Sequence, residues 1–244
     1  MAKKTLTADE IRALINKKQG SVVSFDLNNS NVTDVTDWIP TGNRWLDSSI
    51  AVGKMAGIPV GKITEIAGLE HTGKSFLAAF IAKNAIDKDI NVIWFDSEMA
   101  VDSTFLENIG IDLNKFTYIP AQSVEAVFQT IELLLTTDQR YLFIWDSLAL
   151  TPTETELIGG NNPNADVARK ARVINLSMSK VLIPIARQQC TMIVLNHLKD
   201  KIGVGMFDPE KYITPGGKNS YLCICSQNLA HLEKGKEQSY DESI

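Results

Sequence analysis

Residues 62–80 read Lys-Ile-Thr-Glu-Ile-Ala-Gly68-Leu-Glu-His-Thr-Gly73-Lys74-Ser75-Phe-Leu-Ala-Ala-Phe. The middle eight, Gly68, Leu69, Glu70, His71, Thr72, Gly73, Lys74 and Ser75, fit the phosphate-loop pattern G-x-x-x-x-G-K-[ST]. Glycine turns without a Cβ penalty, so such a loop aims backbone N–H groups at an anion. The N-terminus of the following helix adds partial positive charge to the same spot. Lys74 supplies a full charge for the β- and γ-phosphates, and Ser75 a hydroxyl for Mg²⁺. A short apolar strand at Ile63, Ile66 and Ala67 precedes the loop. A helix over 74–87 follows it, and Phe76 in its first turn is counted with the nucleotide-binding residues. Nucleotide binding is the primary expectation.

Working outward, Asn91–Asp96 and Tyr141–Asp146 are continuous apolar runs ending in an acid, the form of buried parallel strands. Further strands are expected at Phe116–Ile119, Cys190–Asn196 and Tyr221–Ser226. Helices are expected over 43–51, 103–109, 123–136 (capped by Ser123) and 166–189, the last kinked at Pro184. Residues 154–164 and 199–217 lose periodicity and read as loops. Alternating strands and helices predict an α/β fold with a mainly parallel central sheet flanked by helices. Ligands of such folds bind at the carboxyl ends of the strands. Gly68, Asp96 with Glu98, Asp146 and Asn196 all fall there.

Ahead of this core, Thr7 and Glu10 form a capping box for a helix over 7–18 that Gly20 ends. Ser21–Leu27 alternates as a half-buried strand, with Val23, Phe25 and Leu27 on one face. A helix–strand unit this small must dock on something, either its own core or a neighbouring subunit.

The 244 residues suffice for one substantial core. A composition of 44% hydrophobic and 22% charged residues is that of an ordinary globular protein. No apolar run approaches the roughly 20 residues of a membrane span. Cys190, Cys223 and Cys225 are odd in number and sit in apolar runs, which reads as buried free thiols in the cytoplasm rather than a metal site. A net charge of −5 excludes a surface coated with basic charge, so any nucleic-acid contact must be a local patch.

Asp146 has the form of a Walker-B acid holding Mg²⁺ with Ser75. Glu98 is placed to activate the water that attacks a γ-phosphate, although its spacing alone equally fits a capping or solvated loop acid. Taken together, Gly68–Ser75, Asp96-Ser-Glu98-Met-Ala100-Val-Asp102 and Ile144-Trp-Asp146-Ser147 resemble the RecA recombinase family. The likeness runs from Asn43–Ile50 to about residue 226.

The resemblance implies an ATPase using ATP and Mg²⁺, with Glu98 as catalytic carboxylate beside Lys74, and Asp102 and Phe105 against the adenine. It makes the N-terminal helix–strand unit (1–35) a polymerisation element docking on the adjacent protomer. The ATPase core then spans 36–232, and 233–244 is a polar tail. Asn196 and His197 match the γ-phosphate sensor, where His197 stands for the more usual Gln and resembles phage-type members.

Lys201-Ile202-Gly203-Val204-Gly-Met206-Phe207, with Thr-Pro-Gly216-Gly217 beyond it, resembles the family's second DNA-binding loop. Lys199, Lys201, Lys211 and Lys218 are expected to meet phosphates there, and Ile202 to wedge between base steps. The segment from about 156 to 166, with Arg169, Lys170 and Arg172, resembles the first loop; a basic helix end is also often only a solvated face. Relatives continue past the last strand with trans-acting lysines. Ending at Ile244, this chain is expected to hydrolyse slowly. The implied function is a recombinase that forms a homo-oligomeric filament on single-stranded DNA and pairs it with homologous duplex. A RecA-like accessory protein and a ring-forming helicase-type motor are the alternatives.

Overall fold

The computed structural model describes residues 6–20, 22–28, 34–159, 163–200, 212–213 and 229–232. It divides into two compact units, Met1–Thr36 and Asp37–Ile244. In the first, α1 (Ala8–Gln19) starts at the Thr7/Glu10 capping box and stops at left-handed Gly20, as the sequence predicts. The strand expected over 21–27 is not seen among the described residues: 22–27 join no ladder. Their backbone is held by α1 side chains instead. Asn16 Oδ1 accepts from the Val23 and Ser24 amides, each at 2.9 Å, and Asn16 Nδ2 donates to the Ser24 carbonyl. The unit therefore closes on its polar side. Ile11, Leu14, Ile15, Val23, Phe25 and Leu27 are left exposed.

The second unit opens with a two-residue antiparallel pair, β1 (Trp38–Ile39) and β2 (Ile58–Pro59), that brackets α2 (Arg44–Ile50). Asn43 caps α2, and buried Asp47 accepts from the Thr41 amide at 2.7 Å and its hydroxyl at 2.6 Å. Gly57 is required where the chain doubles back: with φ +95, a Cβ would lie 2.3 Å from the Ile39 carbonyl oxygen.

The core is a six-stranded, all-parallel sheet. Its strands are β3 (Ile63–Gly68), β4 (Asn91–Asp96), β5 (Phe116–Pro120), β6 (Tyr141–Asp146), β7 (Thr191–His197) and β10 (Leu229–Leu232). Their order is β10-β3-β7-β6-β4-β5. Helices α3 (Lys74–Ile86), α4 (Ser103–Ile109), α5 (Val124–Leu134), α6 (Glu154–Ile158) and α7 (Pro163–Gln188) connect them, with a 3₁₀ turn at Leu113–Lys115. Alternate residues of β3 to β7 feed two separate apolar layers. Ile66, Trp94, Leu142, Ile144, Ile193 and Leu195 pack with α3, whose buried Ala78, Ala79 and Ala82 let it sit close to the sheet. Phe95, Phe143, Trp145, Met192 and Val194 pack with Val127, Phe128 and Ile131 of α5 and Ile174, Met178 and Val181 of α7. Coverage of both faces is the reason the strands read as unbroken apolar runs.

Two loop expectations are corrected. Residues 154–158 form the helix α6, started by a Thr153/Glu156 capping box. The carboxy-terminal strand that is described is β10, beside β3; Tyr221–Ser226 lies outside the described residues. Within the expected loop 199–217, β8 (Lys199–Asp200) pairs antiparallel with β9 (Tyr212–Ile213). Helix α7 continues through Pro184. Cys190 is a buried free thiol, and burial pushes it up to about 11. No helix among the described residues is long and apolar enough to cross a membrane.

Ile144 is fully buried on the central strand β6 and packs against the α3 layer. Ile144→Ala is expected to destabilise the fold by about 2–5 kcal/mol. In urea titration the midpoint should fall with the slope unchanged.

Candidate nucleotide site

The phosphate loop joins β3 to α3. Its glycine N-cap, Gly73, is left-handed at φ 87, and a Cβ there would meet no atom within 4 Å. His71 is also left-handed, at φ 60. Lys74 is buried and folds back along the loop, its Nζ donating to the Leu69 carbonyl at 2.8 Å and the Gly68 carbonyl at 3.2 Å. The Gly68 carbonyl also accepts from the Leu198 amide at 3.1 Å, just past the end of β7. Burial draws the Lys74 ammonium below the usual lysine range, while Asp146, Glu98 and Glu70 work to keep it charged.

Asp146 ends β6 and accepts from Ser75 Oγ at 2.6 Å. These two oxygens are hard donors of the kind Mg²⁺ takes, one or two from protein with the rest from phosphate and water. No cluster of three or more His, Cys, Asp or Glu suited to a metal occurs among the described residues. Burial pushes the Asp146 carboxyl up to about 6, aided by Glu98 and Asp96 and opposed by Ser75 and Lys74.

The acid at the end of β4 organises the next loop. Asp96 accepts from four backbone amides, those of Glu98, Met99, Ala100 and Val101, at 2.8 to 3.2 Å. The Tyr118 hydroxyl donates to it as well, at 3.1 Å. That grip wraps the chain around the carboxylate and sets Glu98 at the mouth of the sheet. Glu98 Oε1 accepts from Ser147 Oγ at 3.1 Å and lies 3.0 Å from His197 Nε2. A carboxylate accepts only, so Nε2 carries the proton in this pairing. Ser147 is placed in turn by Ser97, whose Oγ accepts from the Ser147 amide at 2.8 Å.

The expected nucleotide residues thus gather from four strands: Lys74 and Ser75 after β3, Glu98 after β4, Asp146 on β6 and His197 on β7. Phe76 lies 4.9 Å from Phe80 and 6.2 Å from Phe105 between ring centroids, forming an aromatic side wall at the start of α3. Asp102 caps α4, accepting from the Phe105 amide at 2.7 Å. Asn196 does not join the cluster; its Nδ2 donates to Glu65 at 2.8 Å.

The basic residues are divided. Arg169 and Arg172 are exposed on α7, and Arg169 lies 3.4 Å from Asp166. Lys170 reaches back to the Ala149 carbonyl at 2.9 Å. Lys199 is described only as backbone in β8. The remaining second-loop positions, including Lys201, Ile202, Gly203, Val204, Met206, Phe207, Gly216 and Gly217, lie outside the described residues. The sequence assigns no role to Glu65, Ser97, Ser147 or Tyr118; Ser97 and Ser147 stand there only as members of the Asp96–Asp102 and Ile144–Ser147 motifs, and Glu65 as a charge inside an apolar strand.

Residues 7–232 match the family model described as the RecA N-terminal domain. The chain belongs to the RecA family. Among curated relatives, the protein RecA of Ruminococcus albus is 30% identical over 206 residues, 84% of this chain and 50% of that protein. The RecA of Rhodopirellula baltica is 31% identical over 206 residues, covering 83% and 53% respectively. For the RecA of Chlamydia felis the values are 31% identity, 84% and 57%. The chain spans about half the length of these RecA relatives.

The raised Asp146 group gives a pH prediction for the nucleotide-free protein. Its folded value of about 6 exceeds the ordinary 3.8, so the folded state binds the proton more tightly. This contribution to stability is complete below the ordinary value and is lost as pH rises through about 6. Stability relative to Asp146→Asn should therefore fall by about 3 kcal/mol between pH 3.5 and 7.5, measured by urea unfolding across that range.

Proposed function

We propose that this RecA-family chain is a DNA-dependent ATPase acting as a recombinase. In this reading it assembles as a helical filament on single-stranded DNA and pairs it with homologous duplex. The observation that carries the ATPase reading is the convergence of Lys74, Ser75–Asp146 and the Glu98–Ser147–His197 group at the carboxyl ends of adjacent parallel strands.

In this reading the loop amides and Lys74 bind the phosphates of ATP, and Ser75 and Asp146 hold Mg²⁺, which when bound offsets phosphate charge. Phe76, Phe105 and Asp102 flank the base. Glu98 orients the attacking water and accepts its proton, an act that requires its free carboxylate capacity to face the γ-phosphate. His197, already bonded to Glu98, exchanges that partner for the γ-phosphate. Its movement alters the exit of β7, which leads directly into the second loop. Nucleotide state and DNA grip are then two sites coupled through one strand.

The domain assignment follows: 1–35 as polymerisation unit, 36–232 as ATPase core with two DNA-binding loops, 233–244 as tail. What supports the first is the apolar set Ile11, Leu14, Ile15, Val23, Phe25 and Leu27, exposed while the polar side closes on itself. A second protomer is the partner this surface fits. The His at 197 supports a phage-type member, and the cytoplasm is the compartment.

Single-stranded DNA should stimulate ATP turnover, and electron microscopy should show filaments that require ATP. Lys74→Ala is expected to abolish both. Glu98→Gln should keep nucleotide affinity within about twofold while lowering kcat by about 10²–10⁴, read in steady-state ATPase assays and nucleotide titration. Filaments that form equally with ATP, ADP or neither would defeat this reading.

A further inference from the structure

Glu65 stands in the middle of β3, between Ile63, Thr64, Ile66 and Ala67, and is about 1% exposed. Its Oε1 accepts from Asn196 Nδ2 at 2.8 Å, while Oε2 is buried without a hydrogen-bond partner. Burial raises this carboxyl above the usual glutamate range, and only the Asn196 bond opposes the rise. A buried acid with one oxygen unmatched costs about 1–3 kcal/mol. An aliphatic side chain would suit the strand better. The acid needs a reason beyond packing.

The reason lies in its one partner. Successive strand residues face opposite sides of a sheet. On β7, Ile193 and Leu195 belong to the α3 layer, and Met192 and Val194 to the α5/α7 layer. Asn196 continues the second series and His197 the first. Asn196 is thus held from one face by Glu65, while His197, the next residue, reaches Glu98 at 3.0 Å from the other. The two are tied locally as well, since Asn196 Oδ1 accepts from the His197 amide at 3.0 Å.

We infer that Glu65 is a positioning residue for the end of β7: by gripping the Asn196 amide from the far face of the sheet, it fixes the backbone that presents the His197 ring to Glu98. The consequence for turnover rests on the ATPase reading above; the mechanical claim does not.

The test uses the full chain with Glu65→Leu and Glu65→Gln. Leucine removes the acceptor at similar volume, whereas glutamine keeps an oxygen for Asn196 Nδ2. Hydrogen exchange in the nucleotide-free protein should show the His197 and Leu198 amides exchanging about tenfold faster in the leucine variant. Those of Met192–Val194 should be unchanged, and the glutamine variant should match the parent. Unchanged protection at His197 and Leu198 would overturn the inference. So would uniform loss along β3 and β7, the mark of a purely structural role, or failure of glutamine to rescue. If the parent chain shows DNA-stimulated turnover, the leucine variant should lose that stimulation with KM for ATP within about twofold. A parent without such stimulation defeats the ATPase reading and leaves the exchange data to decide this one.

Discussion

A lysine ammonium in a place that disfavours charge is the constraint on which the rest of the site depends. Lys74 is buried at the start of α3, and burial works against its proton. Neutralised, it would have no hold on an anion. Asp146, Glu98 and Glu70 keep it charged, and two loop carbonyls occupy its donors. The same burial raises Asp146, so cation and carboxylate are each stabilised by the other's presence. The cation offsets part of the negative charge that Asp146 and Glu98 bring to the carboxyl ends of the strands.

The two acids that end apolar strands have different physical jobs. Asp146 faces Ser75 and the lysine. Asp96 faces backbone, its two oxygens taken by four amides and a tyrosine hydroxyl. It is thereby a scaffold for Glu98 rather than a ligand in its own right. From spacing alone the two strands look alike, Asn-Val-Ile-Trp-Phe-Asp and Tyr-Leu-Phe-Ile-Trp-Asp. Only the loop geometry distinguishes a carboxylate that binds from one that shapes.

Much of the fold was legible because its signals are local. Strands β4 and β6 and helix α4 have their expected bounds, since unbroken apolar runs and an Asp cap followed by Gly110 leave few alternatives. Where two local signals conflict, the reading fails. At 153–158 the Thr153/Glu156 capping box makes a helix, although the Gly and Asn residues after it read as a loop. At 22–27 the alternation is real, but a strand needs a ladder, and Asn16 supplies the backbone partners instead. The Gly68–Ser75 loop was readable as a continuous motif. The Glu98–Ser147–His197 group was not, because its members come from three strands and meet only through the sheet order β7-β6-β4. The Glu65–Asn196 pair is hidden in the sequence for the same reason: the two residues stand 131 positions apart.

The Gly68 carbonyl serves two donors, the Lys74 ammonium and the Leu198 amide. A carbonyl oxygen has two lone pairs, so both bonds stand together. The base of the phosphate loop and the peptide that leaves β7 therefore hang on one backbone atom, and a displacement of Gly68 would be felt directly at 198 without movement of the sheet as a whole.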